Sequence, residues 1–366
     1  MDNVLELQNL HVGYKKDVIL RDIEMAISPG KIVTLIGPNG AGKSTILKTI
    51  VRQLKAMDGV ITLSGQDMSG LSGNEVAKRL SMVMTERPKP ELMTCRQVVE
   101  TGRYPYVGGL GILREEDHKK VDEAIELLEA SSIADKYFSE ISDGQRQRIM
   151  LARALCQEPE VLILDEPTMY LDIRFKLELL TVIRNVARLR NIAVLMSLHE
   201  LDLAIKVSDI LAVVDGKTVS CVDAPENVLK TDIIEKLYGL DAHSYNPLTG
   251  SLYMEKQEAA PKVFVIGGGG SAIPYFYKLQ REGIAFATGV LLGIDAECEM
   301  ARALASKLVV TSDFSPITDL DIAKAKSIID ECEMYLCTIE SFGPLNEVNK
   351  ELLEYAKSKG LKEWQK

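Results

Sequence analysis

The 366-residue chain has few histidines, few aromatic side chains and no Cys-x-x-Cys pair. Its four histidines, at positions 11, 118, 199 and 243, are too scattered to predict a histidine-based metal centre. The six cysteines are equally dispersed, and none lies near a histidine at metal-ligand spacing. We therefore expect reduced, buried thiols rather than disulfides or metal ligands.

The chain also lacks long apolar runs and basic clusters. No apolar run approaches the ~18–20 residues that a membrane-spanning helix needs. The first residues, MDNVLELQNL, lack the basic and apolar regions of a signal peptide. A formal charge of −10 without a Lys/Arg-rich block argues against nucleic acid as a partner. We expect a cytosolic globular protein that meets a membrane only through partners.

The length predicts two or three domains, because domains typically hold roughly 100–200 residues. The polar segment KQEAAP at 256–261, which ends in proline, is typical of a linker. The residues before it predict a short hairpin. We therefore predict domains at 1–255 and 256–366. In the second domain, β-rich runs near 262–266, 284–292, 307–311 and 334–339 alternate with helical patterns. This alternation predicts a small Rossmann-like α/β domain with parallel strands.

The strongest motif is GPNGAGKST at residues 37–45, which fits G-x-x-x-x-G-K-[ST]. A β-branched strand pattern precedes it and a helix pattern follows it. Its glycines allow backbone N–H groups to turn around a phosphate, and the helix dipole favours the same anion. We expect Lys43 to reach the β- and γ-phosphates and Ser44 to ligate Mg²⁺. The predicted phosphate-binding residues are Gly37, Pro38, Asn39, Gly40, Ala41, Gly42, Lys43, Ser44 and Thr45.

A second motif, VLILDE at 161–166, supplies carboxylates. Its apolar residues predict a buried parallel strand, and ligands bind at the carboxyl ends of such strands. We expect Asp165 to hold Mg²⁺, directly or through water, and Glu166 to polarise an attacking water as general base. The two motifs together predict the β- and γ-phosphates of a nucleotide and Mg²⁺ as ligands.

A third motif, ISDGQ at 141–145, opens a predicted helix with Ser142 as its N-cap. With the other two motifs it resembles the signature of ATP-binding subunits of ABC transporters, usually Leu-Ser-Gly-Gly-Gln. The resemblance covers residues 1 to about 255. It implies a P-loop NTPase domain with a helical subdomain, working as a head-to-tail homodimer. Each ATP would lie between the phosphate loop of one copy and Ser142, Gly144 and Gln145 of the other.

The same resemblance assigns further residues. Tyr14 matches the aromatic that stacks on adenine, and we favour this role over the alternative of an ordinary packed or surface tyrosine. Asp172 matches an aspartate that communicates across the dimer, and His199 matches the histidine that contacts the γ-phosphate.

Two positions depart from the family pattern. Glu86 stands where the family usually has glutamine, and we expect it to serve Mg²⁺ and coupling rather than to be a solvated loop residue. Asp143 replaces a glycine of the signature. It either complements the helix dipole, the interpretation we favour, or repels the γ-phosphate of bound ATP.

The segment GRYPYVGG at 102–109 resembles ATPases of iron-siderophore, haem and vitamin B12 importers. This implies two membrane permease subunits, an extracytoplasmic substrate-binding protein and a place at the cytoplasmic face of the membrane. Arg103, Tyr104 and Tyr106 could instead be ordinary packing residues. The alternative function is a soluble ABC ATPase outside transport. However, the interval between residues 45 and 141 leaves no room for the long coiled coil of the DNA-repair type.

The second domain contains a glycine run, Gly267 to Gly270, followed by Ser271 and Ala272. It fits the loose dinucleotide pattern G-x-G-x-x-A, but the acid expected about 20 residues later is missing, and Asp295 is the nearest candidate. Both a ligand site and a tight turn with close helix packing remain open. We hypothesise that this domain is regulatory or stabilises the dimer.

Overall fold

A computed structural model describes residues 3–85, 90, 92–108, 111–230, 232–240, 244–246, 251–254 and 256–365. The chain forms two compact units, Met1–Tyr238 and Gly239–Lys366. The units divide earlier than the predicted limit at residues 255 and 256, because the short hairpin before that limit groups with the second unit. The domain limits 1–255 and 256–366 stay a prediction.

The first unit contains ten strands, nine α-helices and four short 3₁₀ helices among its described residues. The strands are β1 Leu5–Tyr14, β2 Asp17–Ile27, β3 Ile32–Ile36, β4 Asp58–Leu63, β5 Gln66–Asp67, β6 Leu80–Val83, β7 Val161–Asp165, β8 Ala193–Ser197, β9 Ile210–Val214 and β10 Val219–Asp223. The α-helices are α1 Lys43–Ile50, α2 Gly73–Arg79, α3 Cys95–Glu100, α4 Glu115–Leu127, α5 Asp143–Cys156, α6 Ile173–Arg190, α7 Leu201–Val207, α8 Pro225–Val228 and α9 Ile233–Tyr238. Short 3₁₀ helices lie at Met68–Gly70, Thr101–Tyr106, Ser131–Ile133 and Phe138–Glu140.

A six-stranded sheet with the order β10-β9-β3-β8-β7-β6 forms the centre of this unit. All neighbouring strands are parallel except the β9–β10 pair. Every residue of β3, β7 and β8 is buried, as expected for continuous apolar runs in a parallel sheet covered on both faces. The segments that follow these three strands therefore meet at one edge, where the predicted phosphate and carboxylate motifs lie.

A separate antiparallel sheet with the order β2-β1-β4-β5 completes the first unit. Leu10 of β1 and Leu20 of β2 pack in one apolar cluster with Ile46 of α1 and Val33 of β3, all fully buried. This packing holds the first turn of α1 against both sheets, so the phosphate loop is anchored on each side.

The helical segment between β6 and β7 contains the GRYPY motif, which forms the 3₁₀ helix Thr101–Tyr106. Arg103 is buried, and its guanidinium donates to Asp117 at 2.9 Å, to the Cys156 carbonyl at 2.7 Å and to Glu158 at 2.9 Å. The Tyr106 ring lies 4.0 Å from this guanidinium carbon. Arg103 and Tyr106 are therefore packing residues that join α4 to the end of α5.

The second unit is a parallel α/β fold. Its strands are β11 Tyr245–Asn246, β12 Ser251–Leu252, β13 Val263–Ile266, β14 Phe286–Leu291, β15 Lys307–Val310, β16 Met334–Cys337 and β17 Lys362–Glu363. Its helices are α10 Ile273–Arg281, α11 Cys298–Leu304, α12 Asp319–Ile329 and α13 Glu347–Ser358. The five-stranded sheet has the order β15-β14-β13-β16-β17 and is parallel throughout, which confirms the Rossmann-like expectation.

Helices cover both faces of this second sheet. Val263 and Val265 of β13 pack with α10 and α11, whereas Phe264 and Ile266 pack with α12 and α13. This alternation is the period-2 pattern of a strand with both faces buried. The chain proceeds from β13 to β14 and β15 on one side and then to β16 and β17 on the other. The order therefore reverses at β13, which is a topological switch point.

Among the described residues, no helix combines the length and the apolar composition needed to cross a membrane.

Candidate nucleotide-binding site

The phosphate loop connects β3 to α1. Gly37 has a φ of 152°, and a Cβ there would lie 2.2 Å from the carbonyl oxygen of Val214, so the close approach of β9 requires glycine. Gly42, with a φ of 100°, is the N-cap of α1. No side chain caps this helix end, and its first turn carries no acidic residue. The first N–H groups of α1 are thus available to an anion.

Lys43 is 5% exposed and points back over the loop. Its ammonium donates to the carbonyl of Gly37 at 2.6 Å and to that of Pro38 at 3.0 Å. Burial lowers the pKa of Lys43, while the negative charges of Glu166 and Asp165 oppose that shift. The lysine therefore lies in the concave side of the loop, beside both carboxylates of the VLILDE motif.

Ser44 and Asp165 lie together at the edge of the sheet. The Ser44 hydroxyl donates to Asp165 Oδ1 at 3.0 Å. Hydroxyl and carboxylate oxygens are ligands that Mg²⁺ accepts, and Mg²⁺ commonly completes its shell with water and phosphate oxygens. The described residues contain no cluster of three or more His, Cys, Asp or Glu that could hold a metal without such ligands. This donor set fits Mg²⁺ delivered with a nucleotide.

Ser197, at the end of β8, was not identified from the sequence. Its hydroxyl donates to Asp165 Oδ1 at 2.8 Å and accepts from the Glu166 N–H at 3.0 Å. Thr85, after β6, donates to the Asp165 carbonyl at 2.9 Å. Their positions, at the end of β8 and just after β6, were the available signal, but many hydroxyls near strand ends share it.

Glu166 and His199 are in direct contact, with His199 Nε2 2.5 Å from Glu166 Oε1. Glu166 follows β7 and has a φ of 49°, which turns the chain sharply at the sheet edge. The adjacent turns are joined by Thr168, which donates to Glu200, and by Lys176, which pairs with the same carboxylate at 2.5 Å. The structure thus brings together Lys43, Ser44, Asp165, Glu166 and His199 at one edge of the sheet, and the roles assigned to them stay a prediction.

Tyr14, the last residue of β1, lies beside the loop. The Thr45 hydroxyl is 3.5 Å from the Tyr14 hydroxyl, and Tyr14 is 44% exposed. An exposed ring at this position is available for stacking on a base.

The ISDGQ motif begins α5 as expected. Ser142 accepts from the Gln145 N–H, and the Gln145 side chain accepts from the Ser142 N–H, forming a capping box. A Cβ on Gly144 would lie 3.4 Å from the ring of Phe175 in α6. Asp172 caps α6 by accepting from the Phe175 N–H at 3.1 Å. Ser142, Gly144, Gln145 and Asp172 therefore form a second group at two adjoining helix N-termini.

Asp143 lies in the first turn of α5 and pairs with Arg146 at 3.1 Å. Arg146 also donates to the carbonyl groups of Phe138 and Ser139. The carboxylate is therefore partly neutralised within its own helix, which supports the helix-dipole interpretation. Glu86, the predicted Mg²⁺ and coupling residue, lies outside the described residues.

Comparison with known proteins identifies two families in the chain. A family described as "ABC transporter" matches residues 20–169, which include the phosphate loop, the ISDGQ motif and the VLILDE motif. A family described as "MJ0874 family" matches residues 286–364 in the second unit.

Three curated relatives are similar over long alignments. An uncharacterised ABC transporter ATP-binding protein of Methanocaldococcus jannaschii is 42% identical over 269 residues, covering 73% of this chain and 93% of that protein. A cobalamin import ATP-binding protein of Halobacterium salinarum is 33% identical over 328 residues, covering 88% and 82%. An iron(3+)-hydroxamate import ATP-binding protein of Bacillus subtilis is 35% identical over 240 residues, covering 66% and 89%.

Proposed function

The chain belongs to the ATP-binding subunits of ABC transporters, and on this premise we propose that it drives uptake of cobalamin or an iron chelate through partner membrane subunits. It is an ATPase of the importer type. The proposed roles of individual residues rest on one observation. The phosphate loop, Asp165, Glu166 and His199 lie together at one edge of the sheet.

In this proposal the loop and α1 bind the phosphates of ATP. Lys43 leaves the carbonyls of Gly37 and Pro38 and pairs with the β- and γ-phosphates, because an anionic acceptor is stronger than a neutral one. Tyr14 stacks on the adenine. Gly37, Gly40 and Gly42 keep side chains out of the loop so that its backbone can approach the anion.

Glu166 acts as the general base. It accepts a proton from the water that attacks the γ-phosphate, and His199, already within hydrogen-bond distance, holds the carboxylate and contacts the phosphate. Ser44 and Asp165 would hold Mg²⁺, which when bound neutralises charge on the phosphates. Ser197 keeps Asp165 oriented toward that position.

We propose that two copies assemble head to tail, so that Ser142, Gly144, Gln145 and Asp172 of one copy face the ATP of the other. The exposure of apolar side chains near Asp172 supports such an interface: Tyr170 is 69% exposed and Ile173 is 78% exposed. The N-terminus of α5 would then face the γ-phosphate bound to the other copy. Its helix dipole would attract that phosphate, as the dipole of α1 attracts the phosphates bound to its own loop.

We propose a peripheral position at the cytoplasmic face of the membrane, held by two permease subunits that an extracytoplasmic binding protein supplies with substrate. Tyr104 of the GRYPY motif is 62% exposed, unlike Arg103, and is available to a permease. The lengths of the alignments with these two relatives favour cobalamin over an iron chelate as the proposed substrate. The similarity to the Halobacterium protein extends past the first unit, whereas the similarity to the Bacillus protein is about as long as that unit.

The test is substrate uptake in cells in which this chain is the sole copy of its subunit. Labelled cobalamin and labelled ferric hydroxamate are followed in parallel in cells with the wild-type chain, with Glu166→Gln and with Glu226→Gln. Glu226 is an exposed glutamate in α8 and serves as the matched control. We expect Glu166→Gln to abolish uptake of one of the two substrates and Glu226→Gln to leave it unchanged. Uptake of both substrates that does not depend on Glu166 would refute the importer proposal.

A further inference from the structure

The five-stranded sheet of the second unit has two unequal edges. One edge is β17, which is two residues long, and the other is β15, Lys307–Val310. Among the described residues β15 pairs only with β14, so one row of its backbone N–H and C=O groups faces outward. An open row of this kind is a template for a further strand. The sheet can therefore be extended at β15.

A groove of about 410 Å³ runs along this edge, between β15 and α12. All four residues of β15 line it, together with Asp321, Lys324, Ser327 and Ile328 of α12. Ser327 is exposed, whereas Ile328 is partly buried against the apolar cluster on this face of the sheet. A strand added beside β15 would lie in this groove and would contact α12 as well as the edge.

The charges along the groove have opposite signs at its two ends. The Lys307 ammonium lies 2.5 Å from Oε2 of Glu331, which follows α12, so α12 runs antiparallel to β15. Asp321, in the first turn of α12, therefore lies at the opposite end of the groove from Lys307. Lys307 is exposed, and its ammonium has three N–H donors, so it can bind a second carboxylate. Two such grooves are complementary when they meet antiparallel, because Asp321 of each then faces Lys307 of the other.

The proposed head-to-tail assembly supplies a second copy with the required symmetry. Each copy gives its phosphate loop to α5 of the other, so the assembly has a two-fold axis and every contact in it occurs twice. Antiparallel pairing of an edge with the same edge of a second copy has this symmetry. Four paired residues bury too little surface to hold two proteins together alone, since stable interfaces bury roughly 1,200–2,000 Å². The first units, however, raise the effective concentration of the second units for each other.

We propose that the second units of two copies pair through β15, antiparallel across the two-fold axis, to form one continuous sheet. The inference rests on the proposed head-to-tail homodimer and goes beyond it, because it gives the second unit a partner surface and a part in holding the dimer together. Asp321 and Lys307 fix the register of the pairing by forming two equivalent ion pairs between the copies.

The first experiment is a charge exchange across the proposed contact. Analytical sedimentation of the full-length chain with ATP gives the dissociation constant of the dimer, and every chain carries Glu166→Gln so that ATP is not turned over. Lys307→Glu and Asp321→Lys each place like charges opposite each other at both ion pairs. The double variant restores opposite charges with their positions exchanged. Lys350→Glu changes an exposed lysine of α13 and serves as the matched control.

We expect each single variant to weaken the dimer by roughly tenfold and the double variant to return to within about threefold of the chain with Glu166→Gln alone. Lys350→Glu should leave the dissociation constant unchanged. A substitution that only disturbs the fold of α12 is not rescued by a second substitution in β15, so the double variant separates the two causes.

The second experiment locates the contact. p-Benzoylphenylalanine in place of Lys324 is irradiated in the full-length chain, and the cross-linked peptide is identified by mass spectrometry. We expect a product of twice the mass of the chain, joined within residues 307–329 of the second copy. If the chain stays monomeric with ATP, the head-to-tail assembly is contradicted, and this cross-link alone decides whether the second units pair.

Three results would overturn the pairing. The single variants keep the dissociation constant of the chain with Glu166→Gln alone, the double variant is as weak as the single ones, or the cross-link is absent or joins a different protein or a different surface of the second copy.

Discussion

His199 Nε2 lies 2.5 Å from Glu166 Oε1, so an imidazole and a carboxylate meet at the ends of the neighbouring strands β8 and β7. The contact holds the carboxylate at the sheet edge where Lys43 lies. The orientation of the proposed base is thus a property of the folded chain.

We expect Glu166→Gln to lower the turnover number for ATP by roughly 10²–10⁴-fold and to preserve ATP affinity, because the amide keeps the shape but accepts no proton. Phosphate release and equilibrium binding of ATP are measured on the same preparation. Glu226→Gln is the control. Turnover close to that of the wild type would exclude Glu166 as the base.

Ser197→Ala tests the residue that the sequence did not indicate. Its hydroxyl joins Asp165 to the Glu166 N–H, so its loss leaves buried polar groups with one partner fewer. We expect the free energy of unfolding to fall by about 1–3 kcal/mol and half-maximal ATPase activity to require more Mg²⁺. Urea unfolding and a Mg²⁺ titration are the measurements, with the exposed Ser220→Ala as control. An unchanged Mg²⁺ requirement would leave Ser197 with a structural role only.

Asp143→Asn separates the two interpretations of the altered signature. Because Asp143 already pairs with Arg146, we expect ATP-driven dimerisation to change by less than about threefold and stability to fall by roughly 0.3–1 kcal/mol. Analytical sedimentation in the presence of ATP gives the dissociation constant of the dimer. Both chains carry Glu166→Gln in this measurement, so that ATP is not turned over. Much tighter dimerisation would instead favour repulsion of the γ-phosphate.

Arg103→Ala removes the centre of a buried ion-pair network. The side chains of Arg103 and Asp117 are 5% and 7% exposed, so we expect a loss of unfolding free energy on the order of 3 kcal/mol. Tyr104→Ala, on the exposed side of the same 3₁₀ helix, should change it by less than about 0.5 kcal/mol. Urea unfolding measures both. Equal effects would contradict the division of the GRYPY motif into packing and exposed residues.

The same ion pair has a pH dependence of definite sign. Burial acts to raise the pKa of Asp117, but hydrogen bonds from the Arg114 N–H and the Arg103 guanidinium outweigh it and hold this pKa below its ordinary value. The stabilisation is therefore present at neutral pH and is lost as the pH falls through the lowered pKa. Acid unfolding of the wild type should accordingly be steeper than that of Asp117→Asn, in which no charge is titrated at this position.

Two thiols should be inert in the folded chain. Burial raises the pKa of Cys156 and of Cys332 to about 12, so neither forms thiolate near pH 8. We expect iodoacetamide at pH 8 to label both only after denaturation, while Cys337, which is partly exposed, reacts in the folded protein. Mass spectrometry of the peptides identifies the labelled sites. Labelling of Cys156 in the folded protein would contradict its burial.

The sequence predicted the features that depend on local pattern. The glycines of residues 37–45, the apolar run before Asp165 and the N-cap Ser142 each carry a local physical signature, and the structure contains all three. The parallel strands of the second unit followed from the same kind of pattern. These features need no knowledge of what lies opposite them in space.

What could not be predicted depends on contacts between distant segments. Ser197 reaches Asp165 because β7 and β8 are neighbours in register, which the residues themselves do not reveal. Arg103 is buried because Asp117 and Glu158 converge on it from two helix ends. Asp295 accepts from the Gly269 N–H because the segment after β14 ends next to the glycine run. The distance between the two residues in the sequence does not reveal this contact.

The two bonds from Lys43 to the carbonyls of Gly37 and Pro38 give its buried ammonium partners within the loop itself. Together with the nearby carboxylates of Glu166 and Asp165 they compensate a charge that burial removes from water, so the loop can fold around its own lysine. An incoming ATP then displaces two neutral acceptors from an ammonium that is already desolvated. The affinity for ATP therefore reflects the difference in interaction free energy between the phosphates and the two carbonyls as partners of Lys43. Part of the free-energy cost of dehydrating the lysine is already included in folding.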